Sequence, residues 1–204
     1  MIFATVGSQE PFDRLIRAVD EWAAARARTD VLAQIGGGAF RPKYVQFTDF
    51  MDPSEFNQVL RTASIVVAHA GMGSIISALE LGKPIVVMPR LAEFRETRND
   101  HQVATAERFG AQGRIIVAND EQDLPQKLDL ALTLGETARI DTQASPRLIA
   151  TLRAFLKGGP CQLDPEASAD ESRADGTKLV SYRRSVTEPQ SFGVESLTAP
   201  GDRK

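Results

Sequence analysis

The sequence predicts one α/β domain, a mostly parallel sheet covered by helices on both faces, followed by a polar tail of low order. Three observations predict it. Over the first 157 positions, short apolar runs alternate with segments whose apolar residues recur at the helical period. The run Ser64-Ile65-Val66-Val67-Ala68 is almost wholly apolar, as expected of a strand buried on both faces. Strands alternating with helices imply βαβ units and hence parallel pairing. A chain of 204 residues has room for one such domain and an appended segment.

Taken in order, Ile2 to Val6 is a strand that ends at Gly7-Ser8. Phe12, Leu15, Ile16, Val19 and Trp22 then trace one face of a helix, behind Pro11 in an early-turn position. Val31 to Ile35 is a strand closed by Gly36-Gly37-Gly38; Tyr44 to Thr48 is another, and Pro53 to Arg61 a short helix. After the strand at 64–68, a helix from Ser74 to Leu81 stops at Gly82, with Pro84 beyond it. Ile85 to Met88 is the next strand. Past a polar loop, a helix from Asn99 to Phe109 ends at Gly110, and Arg114 to Val117 is a strand. Asp120 caps a helix carrying Leu124, Leu128 and Leu132. Ser145-Pro146 opens a last helix, whose Leu148, Ile149, Leu152, Phe155 and Leu156 fit the helical period. At Gly158 the composition shifts to Ser, Glu, Asp, Pro and Gly. Such a segment buries too little to offset its ordering entropy, so the expected division is a domain at 1–157 and a low-order tail at 158–204.

Composition removes several function classes. A net charge of −3 gives no footprint for nucleic acid. The single cysteine, Cys161, forbids an internal disulfide, and two histidines are too few for a zinc site. The start, MIFATVGSQEP, lacks the basic and apolar regions of a signal peptide, and no run approaches a membrane span. The expectation is a soluble, cytoplasmic protein.

Ligands of open parallel α/β sheets bind outside the C-terminal ends of the strands. Three strand ends there carry chemistry: Thr5-Val6-Gly7-Ser8, His69-Ala70-Gly71-Met72-Gly73-Ser74, and the loop after Met88-Pro89. In the second, a buried strand runs into Gly71-x-Gly73-Ser74 and opens a helix. That arrangement lets a phosphate approach bare backbone and free N–H groups; a tight βα turn with no ligand would read the same. A dinucleotide fingerprint fails, because its third glycine position is Ile76, and no Walker A sequence occurs. Glu80, on the same helix, either accepts the two hydroxyls of a ribose or is an exposed helix glutamate. Asn99-Asp100-His101-Gln102 either caps a helix or reads sugar hydroxyls. His69, at a strand end, fits a hydrogen-bonded core histidine better than a base.

Together these segments, with Glu80-x-Gly82-Lys83-Pro84 between the second and fourth, resemble the C-terminal, donor-binding half of the GT-B glycosyltransferases of family 28. The likeness covers residues 1–157. It is closest to the split members, in which the donor-binding half is a separate small catalytic subunit acting in exopolysaccharide or dolichol-linked saccharide synthesis. One departure stands out: Arg95-Glu96-Thr97 where exopolysaccharide members often read Gly-Glu-His.

The resemblance implies a Rossmann-like domain in which Gly71, Met72, Gly73 and Ser74 hold the diphosphate of a UDP-sugar and Glu80 holds the ribose. Asp100, His101 and Gln102 would meet the sugar or its proximal phosphate, Gly7 and Ser8 would line the phosphate and acceptor side, and the uracil would lie against Phe50-Met51. It further implies an inverting hexosyl transfer without cofactor or metal. A membrane-anchored subunit would bind a lipid-linked acceptor at the cytosolic leaflet, which makes this chain peripheral to the membrane. The catalytic base would come from that partner, His69 and His101 being the only imidazoles here, and Gln9, Pro11, Phe12 and Phe94 would face it. Two other readings share the fold: a non-catalytic nucleotide-sugar-binding or scaffolding protein, and a hydrolysing epimerase, which normally needs both lobes in one chain.

Overall fold

The computed structural model describes residues 1–137, 139–140 and 145–157; the predicted tail and Cys161 lie outside them. Six strands form β1 (Ile2–Thr5), β2 (Val31–Gln34), β3 (Gln46–Thr48), β4 (Ile65–His69), β5 (Ile85–Met88) and β6 (Ile116–Val117). Five helices join them: α1 (Asp13–Ala25), α2 (Pro53–Thr62), α3 (Met72–Glu80), α4 (His101–Ala111) and α5 (Leu124–Thr133). All strand pairs are parallel, in the order β3-β2-β1-β4-β5-β6. The sheet and these helices form one unit, Met1–Ser145; a second begins at Pro146 and holds α6 (Pro146–Leu156), amphipathic as its period predicts.

Alternation along each strand splits the core in two. Ile2, Ala4 and Val6, with Val31, Ala33, Ile65, Val67, Val86 and Met88, face α1 and α5. Phe3, Val66, Ala68, Ile85 and Val87 face α2, α3 and α4, through residues such as Leu60, Ile75, Leu79 and Ala106. Every residue of β1 and β5 is buried, which is why these strands read as apolar runs without polar alternation.

Several boundaries move, each for a physical reason. β3 starts at Gln46 because the N–H groups of Lys43, Tyr44 and Val45 donate instead to the buried carboxylate of Asp20 on α1, at 2.9, 2.7 and 3.0 Å. α4 runs through Gly110, whose bare Cα lets Val117 approach; a Cβ there would lie 2.8 Å from the valine Cγ2. The helix stops at Gly113 (φ +66°), where Arg114 N–H bonds to Phe109 C=O and Gly113 N–H to Gly110 C=O, a Schellman ending. Gly82 (φ +66°) closes α3 the same way, as the sequence predicts. On α5 the third inward residue is Ala131 and Leu132 is exposed. Asp120 accepts from Gln122 and Asp123 N–H, so it caps the turn before that helix and not the helix itself. The polar loop after β5 contains a 3-10 turn, Ala92–Phe94, which the sequence reading did not anticipate.

Candidate functional site

From β1 the chain goes first to β2 and β3 on one side, then returns to lay β4, β5 and β6 on the other. The order therefore reverses between β1 and β4, and the crevice outside the carboxyl ends of those two strands is where such sheets take ligands. The turns that meet there are Gly7-Ser8, after β1, and Gly71–Ser74, after β4. Both line a cavity of about 440 Å³, and Gly7, Ser8, Gly73 and Ser74 also line a second of about 340 Å³.

Gly7 holds φ +78°, a conformation that favours glycine, and its N–H donates to Thr5 Oγ1 at 3.1 Å. Thr5 Oγ1 in turn donates to Gln34 Oε1 at 2.8 Å, which fixes the exit of β1 against β2. On the other side, α3 starts without a side-chain cap, Gly71 occupying the cap position. The first backward bond at this end is Ile75 N–H to Gly71 C=O, 3.2 Å. The amides of Met72, Gly73 and Ser74 thus have no partner in the helix. Nothing lies within 4 Å of where a Cβ on Gly73 would be, so its backbone is open to the cleft. Free amides at the positive end of a helix dipole bind anions, phosphate above all.

His69 ends β4 between the two turns. A Cβ on Gly7 would lie 2.7 Å from the ring Cε1, and one on Gly71 2.1 Å from Nε2. The ring lines the larger cavity, and its buried Nδ1 makes no hydrogen bond of good geometry among the described residues, the Thr5 backbone being only a loose partner, so it is not the fully bonded core histidine expected. Burial pushes its pKa from 6.5 down to about 4, the Arg90 guanidinium adds to that, and the Thr5 backbone opposes it. At neutral pH the ring is uncharged and a weak base.

His101 and Gln102, in the first turn of α4, line the same cavity. His101 is exposed, with Nδ1 against Asn99 Oδ1. Gln102 is buried, and its Oε1 accepts from the Arg90 main-chain N–H at 3.1 Å. Asp100 does not line the cavity; its carboxylate accepts the Ala92 N–H at 2.8 Å and ties down the 3-10 turn. Met51 lines the smaller cavity, beside Pro53 and Phe56. Phe50 is exposed and lines neither cavity.

α3 spans Met72–Glu80, so Glu80 is its last residue, about 12 Å along the axis from the cleft end. It is exposed and lines neither cavity; the α3 residue that does, beyond Ser74, is Ser77. Phe12, expected on a partner-facing surface, is 1% exposed and belongs to the core, whereas Phe94 is exposed.

Two further residues of the cleft lie in segments that the resemblance covers but have no role in what it implies. Arg90 is nearly buried at the end of β5 and lines the larger cavity. Glu96, in the loop that departs from the Gly-Glu-His pattern, lines it too. Arg14 grips Glu96 with two bonds of 2.9 Å and Leu91 N–H adds a third, so this carboxylate is committed to holding the loop. Arg95 beside it takes φ +58°, the left-handed conformation that a glycine would adopt more easily.

Residues 1–147 match the model of the glycosyltransferase family 28 C-terminal domain. Among curated relatives, UDP-N-acetylglucosamine transferase subunit ALG13 of Mus musculus is 28% identical over 164 residues, 75% of this chain. The subunit of the same name from Yarrowia lipolytica is 25% identical over 137 residues, 59% of this chain. The matched regions span 13% of the mouse protein and 65% of the yeast one. The crystal structure of Methanocaldococcus jannaschii UDP-GlcNAc 2-epimerase, at 11% identity, superposes with a TM-score of 0.51 over 77% of this chain and 45% of that one, a likeness of fold. With a doubly wound sheet, a glycine turn and an uncapped helix N-terminus at its switch point, and a family match across the whole sheet, the chain belongs to the glycosyltransferase family 28 C-terminal domain family.

Proposed function

We propose that this chain is the donor-binding, catalytic subunit of a two-subunit, inverting UDP-sugar glycosyltransferase that acts on a lipid-linked saccharide. The observation that carries this reading is the uncapped N-terminus of α3, with Gly73 open to the switch-point cleft. Its amides would hold the donor diphosphate and stabilise it as a leaving group, with no resident metal required for that role. The smaller cavity, lined by Met51, Phe56 and Ser77, has the apolar wall and hydroxyl expected of a uridine pocket. Asp100 and Glu80 line neither cavity, so in this reading the donor contacts fall to Arg90 and Ser77, which do.

The family domain is one lobe, so the acceptor wall would come from a separate, membrane-anchored subunit meeting Gln9, Pro11 and the exposed Phe94. No helix of the described residues is long and apolar enough to cross a membrane, and attachment would run through that partner. The acceptor's proton would go to a base on the partner, because His69, with a pKa of about 4, holds a proton poorly at neutral pH. The names of the relatives make UDP-N-acetylglucosamine the first donor to test; they lend no support to the exopolysaccharide product that the resemblance implied.

The test is to co-purify the chain with its membrane-anchored neighbour and supply a panel of UDP-sugars and a lipid-linked acceptor. Transfer by the pair and not by the chain alone supports the reading. Donor binding without transfer by the pair would make this a non-catalytic nucleotide-sugar-binding protein.

A further inference from the structure

We propose that Arg90 is an anion-binding residue of the cleft, completing with the α3 amides a two-part site for the diphosphate of the donor. This rests on the UDP-sugar reading above. Arg90 is 4% exposed and yet lines the larger cavity. Its Nη2 donates to Val6 C=O at 2.7 Å and to Glu10 C=O, both neutral acceptors, and its guanidinium lies 5.2 Å from the centre of the Phe12 ring. Among the described residues it makes no ion pair. Arg14, the other half-hidden arginine of this end of the sheet, has Glu96 and Glu121.

The Nε of Arg90 is buried and has no partner among the described residues. A nearly buried cation whose nearest carboxylates, Glu96 and Glu10, make no ion pair with it, and with a donor left over, is an unfavourable arrangement for an empty protein. An oxyanion in the cleft would supply the missing counter-charge. The same cavity is lined by Gly71, Met72, Gly73 and Ser74, so a helix N-terminus and a guanidinium supply positive potential to one space. Burial draws the guanidinium pKa down while Glu96 and Glu10 work against that, in line with a charge awaiting a closer partner.

The group is also held in place before any ligand arrives. Gln102 fixes the Arg90 main-chain N–H, and the two carbonyls fix the guanidinium. Those carbonyls bracket Gly7, Ser8 and Gln9, so one side chain both closes the β1–α1 turn and faces the phosphates. Lysine, with a single point charge, can supply the second role but not the first.

The experiment is calorimetric titration of the full chain, wild type, Arg90→Gln and Arg90→Lys, with uridine, UDP and inorganic pyrophosphate, each variant first checked for a native thermal transition. The expected result for Arg90→Gln is a loss of about tenfold or more for UDP and pyrophosphate, equivalent to about 1.4 kcal/mol, with uridine affinity within about twofold of wild type. Arg90→Lys should fall between. If Arg90→Gln does not fold, the same selective loss in Arg90→Lys supports the proposal. Uridine and UDP affinities falling in parallel, or UDP affinity unchanged, would overturn it. Arg90-dependent binding of pyrophosphate without binding of UDP would uphold Arg90 and remove the UDP-sugar reading; a wild type that binds neither would remove both.

Discussion

The imidazole of His69 occupies the space that a side chain on Gly71 would need: a Cβ at position 71 would lie 2.1 Å from Nε2. The backbone at Gly71, φ −89° and ψ 135°, is one that any residue adopts. This glycine is therefore required by a neighbouring ring, not by its own dihedral angles. Gly7, on the other side of the ring, is constrained both by its positive φ and by the ring. The two glycine turns of the cleft thus both leave room for one histidine.

Gly71→Ala should force the ring aside and lower stability by about 1–3 kcal/mol, the usual range for overpacking. His69→Ala in the same chain should recover most of that loss. Denaturant melts of the two single variants and the double variant give the coupling. Additive losses would mean that the ring and position 71 do not meet.

The same ring makes stability depend on pH. Its pKa falls from 6.5 to about 4 on folding, so the unfolded state takes up the proton more readily. The stabilisation is complete above pH 6.5 and is lost as pH falls towards 4, by up to about 3 kcal/mol. His69→Gln should flatten the denaturation free energy between pH 6.5 and 4, leaving the carboxylates to act below that. Equal slopes for wild type and variant would show that the ring titrates alike in both states.

A third expectation concerns α1. It ends in a Schellman arrangement, with Arg28 N–H to Ala23 C=O at 2.9 Å and Ala27 N–H to Ala24 C=O at 3.2 Å, but the left-handed residue is Ala27, φ +50°. α3 and α4 place glycine at this position. Ala27→Gly should therefore raise stability by about 1 kcal/mol, far from the cleft, and leave ligand binding untouched. A lower melting temperature would contradict this.

The strands were readable because parallel strands buried on both faces leave continuous apolar runs; Ile85 to Met88 is placed to the residue. The two glycine turns were readable because a strand entering glycine and then a helix is a local pattern. Strand order was not, since nothing in a segment states its neighbours, and the switch point appears only once β4 is seen beside β1. Nothing in the sequence marks Asp20, because the three amides that bind it come from more than twenty residues away. No local pattern states the partners of Arg90, because Val6 and Glu10 lie eighty or more positions away. Glu80 stands near the C-terminal end of its helix in the sequence as in the structure; that this end lies away from the cleft shows only once the strand ends are assembled.

If UDP binds at the β1–β4 switch point, amide chemical shifts of the labelled chain titrated with UDP will report it. Saturable shifts are expected at Gly7, Ser8, Gly71, Met72, Gly73 and Ser74, with Ser77 and Met51 following and Glu80 still. The free amides of the α3 N-terminus should move most, because they gain the phosphate oxygens as partners. No saturable shift, or shifts gathered away from these two turns, would contradict UDP binding there.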